Sequence, residues 1–285
     1  MTKIYLPNAW GATNVVNVFK HQTPNNDGVW NDIVAVNSKE EADYIIVQDN
    51  TSEPVDFSKV IFFGREPSYV QGINQKWIKN QCHKFLHHDK DTTWMPQTWW
   101  VGTGFGDLSS DNQPTKTKNL SIIDSGKGMT DGHKKRSVVI QNLIRSHVND
   151  FDLYGKIANG KSGKPYVSQL PHRKKEGGLL DYRYNLAIEN GSTNSYFSEK
   201  IVDPLLCWTM PIYWGCKNID KFLPKGSYIE IDITKSGVAK EIIDISKSNL
   251  REENIDVISE ARDLIMNKYN LWPTIERAIN NDKMF

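Results

Sequence analysis

The chain has 285 residues, 35 of them basic and 34 acidic, with a formal net charge of +1 and three cysteines. Charge this evenly balanced supplies no global field to gather nucleic acid or an anionic membrane, so any phosphate site has to be built locally. Cys82, Cys207 and Cys216 form no C-x-x-C pair, which argues against a disulfide framework and a structural zinc site, and no apolar run approaches the roughly eighteen residues of a membrane span.

In chain order, residues 3–6 read as a first strand, Trp10–Gly11 as a turn, and Val15, Val16 and Phe19 as the apolar stripe of a helix. A polar, turn-rich loop follows over 21–31. Ala42 to Val47 reads as a helix end passing into a strand. Val60 to Phe63 is a continuous apolar run, the pattern of a parallel strand buried on both faces. It stops abruptly at Gly64-Arg65-Glu66-Pro67. Ligands of open α/β sheets bind outside the carboxyl ends of strands, so Glu66 stands where a catalytic carboxylate would reach a cleft. The residues alone favour an exposed turn in which Glu66 pairs with Arg65. His83 and His87 have the i, i+4 spacing of metal ligands on a helix face, against the plainer reading of a polar segment entering a strand. Trp94, Trp99 and Trp100 suit either sugar stacking or core packing.

Residues 106–118 are small, polar and without periodicity, the composition of a linker. Asn119 to Ile123 restarts the strands, followed by Ser125-Gly126-Lys127-Gly128. A basic run, His133 to Arg136, then opens an amphipathic helix carrying Val139, Leu143 and Ile144. Phe151 to Gly155 reads as the next strand, and 156–178 as a loop rich in glycine and lysine. There is no G-x-G-x-x-G fingerprint and no Walker A sequence.

The most informative block runs from Tyr184 to Asp232. Tyr184 to Ile188 has strand length and ends in Glu189-Asn190-Gly191. A polar loop follows, with Asn194 or Ser195 as the expected cap of a helix from Tyr196 through Leu206 that Pro204 should kink or end early. Pro211 to Trp214 and Tyr228 to Ile231 are further strands, and 238–245, 255–265 and 272–279 read as helices. Asn190, Tyr196, Glu199 and Lys200 fall around the helix start, where free N–H groups and the positive dipole end suit a phosphate.

Three ordered elements of this block, Ile188-Glu189-Asn190, Tyr196-Phe197-Ser198-Glu199-Lys200 and Pro211-Ile212-Tyr213-Trp214-Gly215, resemble the donor-binding signature of glycosyltransferase family 10, the α-1,3/4-fucosyltransferases. Upstream, Arg136 stands seven residues before Leu143, as the family's diphosphate-binding arginine does, with Lys135 as its rival by register. Ser125-Gly126 occupies the place of the family's Ser-Asn turn and departs from it. Gly64-Arg65-Glu66-Pro67 resembles the family's general-base site.

The resemblance implies an α/β chain of GT-B type, with two Rossmann-like domains facing across a cleft: an acceptor domain over 1–112, a donor domain over 119–250, and helices over 251–285 packing back on the first. It implies inverting transfer of L-fucose from GDP-fucose to a glycan hydroxyl. Glu66 would be the base, and Arg136, Asn190, Tyr196, Glu199, Lys200, Ser125 and Gly126 would hold the donor. No metal or other cofactor is expected. The expected partners are a nucleotide-sugar donor and a glycan acceptor, without nucleic acid or stable membrane insertion, and the expected location is the cytoplasm. The alternatives are another GDP-sugar donor, or a non-catalytic module that binds a nucleotide sugar or glycan.

Overall fold

The computed structural model describes residues 1–8, 15–66, 75–88, 94–146 and 150–281. Two compact units emerge. The first comprises residues 1–98, 104–110 and 265–285, the second residues 99–103 and 111–264.

Among the described residues of the first unit, β1 (Thr2–Tyr5), β2 (Val29–Trp30), β3 (Ile33–Ala35), β4 (Tyr44–Gln48), β5 (Val60–Gly64) and β6 (Lys84–His87) form one sheet in the order β2-β3-β1-β4-β5-β6. Its pairings are parallel except at the short edge strand β2. The helices are α1 (Val15–Lys20), α2 (Gln75–Gln81), α3 (Phe105–Leu108) and α9 (Leu271–Asn280). From β1 the chain steps to β3 on one side and to β4 on the other, so the switch point lies between β1 and β4. The run of apolar residues in β5 is buried along its whole length, because parallel neighbours flank it and both faces are covered. Val60 and Phe62 join Ile45, Val47 and Ile78 in one core cluster.

The expected helix end before β4 does not form. Residues 36–43 run without regular helix, and Asp43 instead accepts the Lys3 N–H at 2.8 Å while donating its own N–H to the Lys3 carbonyl at 2.9 Å. The chain is thus tied directly to β1. His87 lies in β6 and not on a helix, so the i, i+4 helical chelate with His83 does not arise. Trp272 of α9 is fully buried, and its indole N–H donates to the Phe19 carbonyl at 2.8 Å. The Trp10–Gly11 turn and Pro67 lie outside the described residues.

In the second unit β7 (Lys118–Ile123), β8 (Phe151–Tyr154), β9 (Tyr182–Ile188), β10 (Met210–Trp214) and β11 (Ile229–Glu230) pair in parallel in the order β11-β10-β9-β7-β8. Around them stand α4 (Asp131–Arg145), α5 (Glu199–Leu206), α6 (Val238–Ser246), α7 (Leu250–Glu253) and α8 (Ile255–Leu264). Leu120, Leu153, Tyr184, Ile201, Val202, Leu205 and Ile212 are each 0% exposed and make the core between sheet and helices. The stretch 165–168 lies along β8, with Leu153 N–H donating to the Pro165 carbonyl at 2.7 Å and Val167 N–H to the Leu153 carbonyl at 3.0 Å.

Two expectations about α5 are corrected. The helix begins at Glu199, not Tyr196, and its cap is Ser198, whose side chain accepts the Lys200 N–H. Ser195 is excluded as a cap by its left-handed φ of +60°, since a capping residue takes extended backbone. Pro204 lies inside the helix, which ends two residues later at Leu206.

Candidate functional site

In the second unit the chain passes from β7 to β8 on one side and later returns to β9 on the other, so the switch point lies where β7 and β9 end. Asp124, Ser125 and Gly126 follow β7, and Glu189 and Asn190 follow β9. Two helices start at this corner. Gly132, in the first turn of α4, donates its N–H to the Asn190 carbonyl at 3.2 Å, and Ser198, which caps α5, donates its N–H to the Glu189 carboxylate at 2.8 Å.

Gly132 allows α4 to come this close. A Cβ there would lie 2.5 Å from the Glu189 carbonyl oxygen and would overlap the Asn190 carbonyl group. Both obstacles are backbone and cannot rotate away. Gly132→Ala is therefore expected to destabilise the protein by about 2–3 kcal/mol through overpacking, read from denaturant unfolding. A midpoint unchanged from wild type would show that α4 does not press on the corner.

The start of α4 is closed by a reciprocal cap. Thr130 accepts the His133 N–H at 3.2 Å, and His133 Nδ1 accepts the Thr130 N–H at 3.2 Å. Because Nδ1 is an acceptor, the ring proton sits on Nε2. Burial, with Arg136, Lys200 and Lys127 nearby, pushes the His133 pKa down to about 4. The imidazole is neutral, chiefly because it is buried, with the three nearby cations adding to the effect. Arg136 is 4% exposed. Its Nη1 donates to the Ile188 carbonyl at 3.0 Å, and its Nε lies 2.8 Å from Asp124 Oδ1, although the N–H does not point along that line. Lys135, the rival, forms an ion pair with Asp131 at 2.7 Å and lies over the Trp214 ring at 5.5 Å.

Glu189 is the node of the corner. It is 0% exposed, and burial raises its carboxyl above the ordinary range against the pull of Lys200 and Ser198. It accepts the Ser198 hydroxyl at 2.6 Å as well as the Ser198 N–H, and the Lys200 ammonium lies 3.5 Å away. Gly215 leaves room for it: a Cβ there would stand 2.7 Å from the Tyr213 hydroxyl and 2.8 Å from Glu189 Cβ. Further along, Lys200 lies 3.3 Å from Glu199, Glu199 lies 3.6 Å from Lys175, and Lys175 lies 2.8 Å from the buried Asp203. Burial pushes the Asp203 pKa up to about 6 despite Lys175. Desolvation opposes the charge on Lys175, but Asp203 and Glu199 outweigh it and raise its pKa. The charges thus alternate in sign from Asp203 to Glu189.

The structure therefore brings Arg136, Asn190, Glu199 and Lys200 to one corner, with Ser125 and Gly126 exposed on the loop after β7. Tyr196 is 1% exposed, its ring packed inside the unit. Glu189 and Lys175 were not among the sequence candidates. The signal for Glu189 was a carboxylate ending an apolar strand, since a buried charge requires a partner. Lys175 gave none, because its partners lie 24 and 28 residues away. Two helix N-termini, an arginine and a lysine give the corner what an anion such as a diphosphate needs. Among the described residues no group of three or more His, Cys, Asp or Glu is arranged around a common metal position.

Glu66 belongs to the first unit and is half-buried. It follows β5 in a turn fixed by Asp49, whose Oδ1 accepts the N–H groups of Arg65 at 2.6 Å and Glu66 at 3.0 Å. Arg65 donates to Gln48 Oε1 at 2.8 Å. Trp94 and Trp99 are 9% and 1% exposed and are packing residues.

Residues 114–248 match the family model described as Glycosyltransferase family 10 (fucosyltransferase) C-term. This part of the chain is similar to the C-terminal domain of glycosyltransferase family 10. Its span contains the whole corner, from Asp124 to Gly215. An α-(1,4)-fucosyltransferase of Arabidopsis thaliana is 39% identical over 170 residues, covering 55% of this chain and 40% of that protein. A GDP-fucose protein O-fucosyltransferase 3 of Danio rerio is 29% identical over 92 residues, covering 31% of this chain and 20% of that protein. The chain thus spans less than half the length of these relatives. A crystal structure of an α1,3-fucosyltransferase with GDP superposes with a TM-score of 0.52 at 16% identity, covering 99% of this chain and 91% of the other. The segment that matches the family model accordingly lies in a fold of GT-B type, with two Rossmann-like units.

Proposed function

We propose that the protein is an inverting glycosyltransferase that moves L-fucose from GDP-fucose to a hydroxyl of a glycan acceptor. The observation that carries this reading is the convergence of the three family 10 elements, with two helix N-termini, at the switch point of the second unit.

The diphosphate of the donor binds at that corner. Lys200 meets its oxygens, the positive dipole ends of α4 and α5 face it, and Arg136 adds positive charge from beneath the strand ends. As the sugar leaves, negative charge grows on the β-phosphate, and donors already in place stabilise it without reorganising. Asn190, Glu199, Ser125 and Gly126 border the nucleotide. Tyr196 contributes by packing behind the loop or by turning outward when the nucleotide enters. Glu66 takes the proton of the acceptor hydroxyl as it attacks the anomeric carbon. Attack on the face opposite the departing GDP inverts the β-linked donor to an α-linked product.

Because Arg136 and Lys200 supply the charge, the reaction needs no divalent ion, and the rate with excess chelator is expected to stay within about twofold of the rate with manganese. Abolition by chelator would refute that part. The transfer itself is tested by incubating the protein with GDP-fucose and a lactosamine-type glycan and assigning the product by NMR. An α-anomeric fucose with stoichiometric GDP is expected; a β-linked product would exclude inversion. The Danio rerio relative's name makes a protein hydroxyl a second acceptor class, and a folded protein acceptor belongs in the same assay.

A further inference from the structure

We infer that Glu189 is the positioning residue of the donor corner: its buried carboxylate fixes both the start of α5 and the ammonium of Lys200. The inference rests on the donor-site reading above and adds a residue to it that touches no substrate.

Each of the three sequence elements contributes one part of the arrangement around this carboxylate. Glu189 ends β9. Ser198, immediately before α5, gives it both a backbone N–H at 2.8 Å and a hydroxyl at 2.6 Å. Gly215, just past β10, leaves the space its side chain fills. Ser198 Oγ is shared, since it also lies 3.2 Å from the Lys200 ammonium. A hydroxyl that donates to Glu189 and accepts from Lys200 links the two charges through one atom. Lys200 is itself 20% exposed on its side chain while Glu189 is 0% exposed, so the lysine reaches the surface from a buried anchor. Lysine is a flexible cation with several rotatable bonds. Held at one end by a carboxylate that cannot move, it presents its charge in one place, and less rotamer freedom remains to be lost when a phosphate binds.

Glu189→Gln separates the charge from the shape. The amide oxygen still accepts the Ser198 N–H, and the amide nitrogen donates to Ser198 Oγ, so the start of α5 survives while Glu189's attraction on Lys200 is lost and that of Glu199, 3.3 Å away, remains. GDP affinity is measured by titration calorimetry for wild type, Glu189→Gln, Lys200→Gln and the double variant. Glu189→Gln is expected to weaken GDP binding about tenfold. In the Lys200→Gln background the same change should have little further effect, because the residue through which it acts is gone. A loss of equal size in both backgrounds would show a merely structural role and overturn the inference, as would unchanged or tighter binding.

A nucleotide-free measurement keeps the inference independent of the donor reading. The rate at which acetic anhydride modifies Lys200, followed by peptide mass spectrometry, should rise several-fold in Glu189→Gln, because a neutral partner no longer holds the ammonium. An unchanged rate would overturn the inference. If wild type does not bind GDP, the donor reading fails while this rate still reports on Glu189. Should Glu189→Gln not fold, Ser198→Ala removes the shared hydroxyl; a smaller rise is expected, and no rise would count against the inference.

Discussion

Glu66→Gln is expected to lower acceptor-dependent turnover about 100-fold to 10,000-fold, the range a positioned general base contributes, while GDP binding stays at the wild-type level. The substitution keeps size and hydrogen-bonding capacity and removes only the ability to take a proton. Glu66 lies in the first unit, after β5, and its backbone N–H is held by Asp49 at 3.0 Å. None of the contacts described for the donor corner depends on it. The measurement is steady-state kinetics beside GDP titration on the same preparation. Turnover within threefold of wild type would remove Glu66 from the mechanism. A parallel fall in GDP affinity would assign it to binding instead.

Lys200→Met carries the second large effect, and it acts twice. First, the corner loses a partly exposed cation beside the start of α5, and turnover over KM should fall about 100-fold to 1000-fold, the usual loss when a donor to a developing oxyanion is removed. Second, Glu189 is left fully buried without its charged partner. A buried carboxylate in that state becomes protonated or costs stability. Lys200 is 20% exposed, so solvent screens part of the pair, and the expected loss is about 1–2 kcal/mol rather than the larger figure for a wholly buried pair. Thermal unfolding reads the stability arm, and Lys200→Arg, which keeps the charge, should recover most of it. Full stability in Lys200→Met together with normal activity would mean that the pair is incidental.

The sequence made the sheets legible and parts of the site illegible for identifiable reasons. Val60 to Phe63 declares a buried parallel strand by itself, because strand burial is written in contiguous residues. The sequence places the start of α5 three residues early because nothing in the local pattern distinguishes Ser195 from Ser198; Glu189, nine positions upstream of Ser198, is what binds the true cap. Arg136 shows the same limit. Within His133 to Arg136 it reads as one member of a solvated basic run, yet it is buried against Asp124 and the Ile188 carbonyl while Lys134 stays exposed. Tyr196 stood out through the family pattern, and that pattern says nothing of its 1% exposure. Lys175 is the extreme case, a cation inside a glycine- and lysine-rich loop whose partners Glu199 and Asp203 become neighbours only when the loop folds over the start of α5. Motifs record which residues recur; they do not record which of them touch.

We propose above that the corner of the second unit holds a GDP-sugar for transfer to a glycan hydroxyl. The most direct test of this is nucleotide release from GDP-fucose, GDP-mannose, UDP-glucose and UDP-N-acetylglucosamine, each with and without a lactosamine acceptor. Acceptor-dependent release of GDP from GDP-fucose is expected, with no comparable release from the other three. Acceptor-dependent turnover of a UDP-sugar, with GDP-fucose inert, would contradict the proposal.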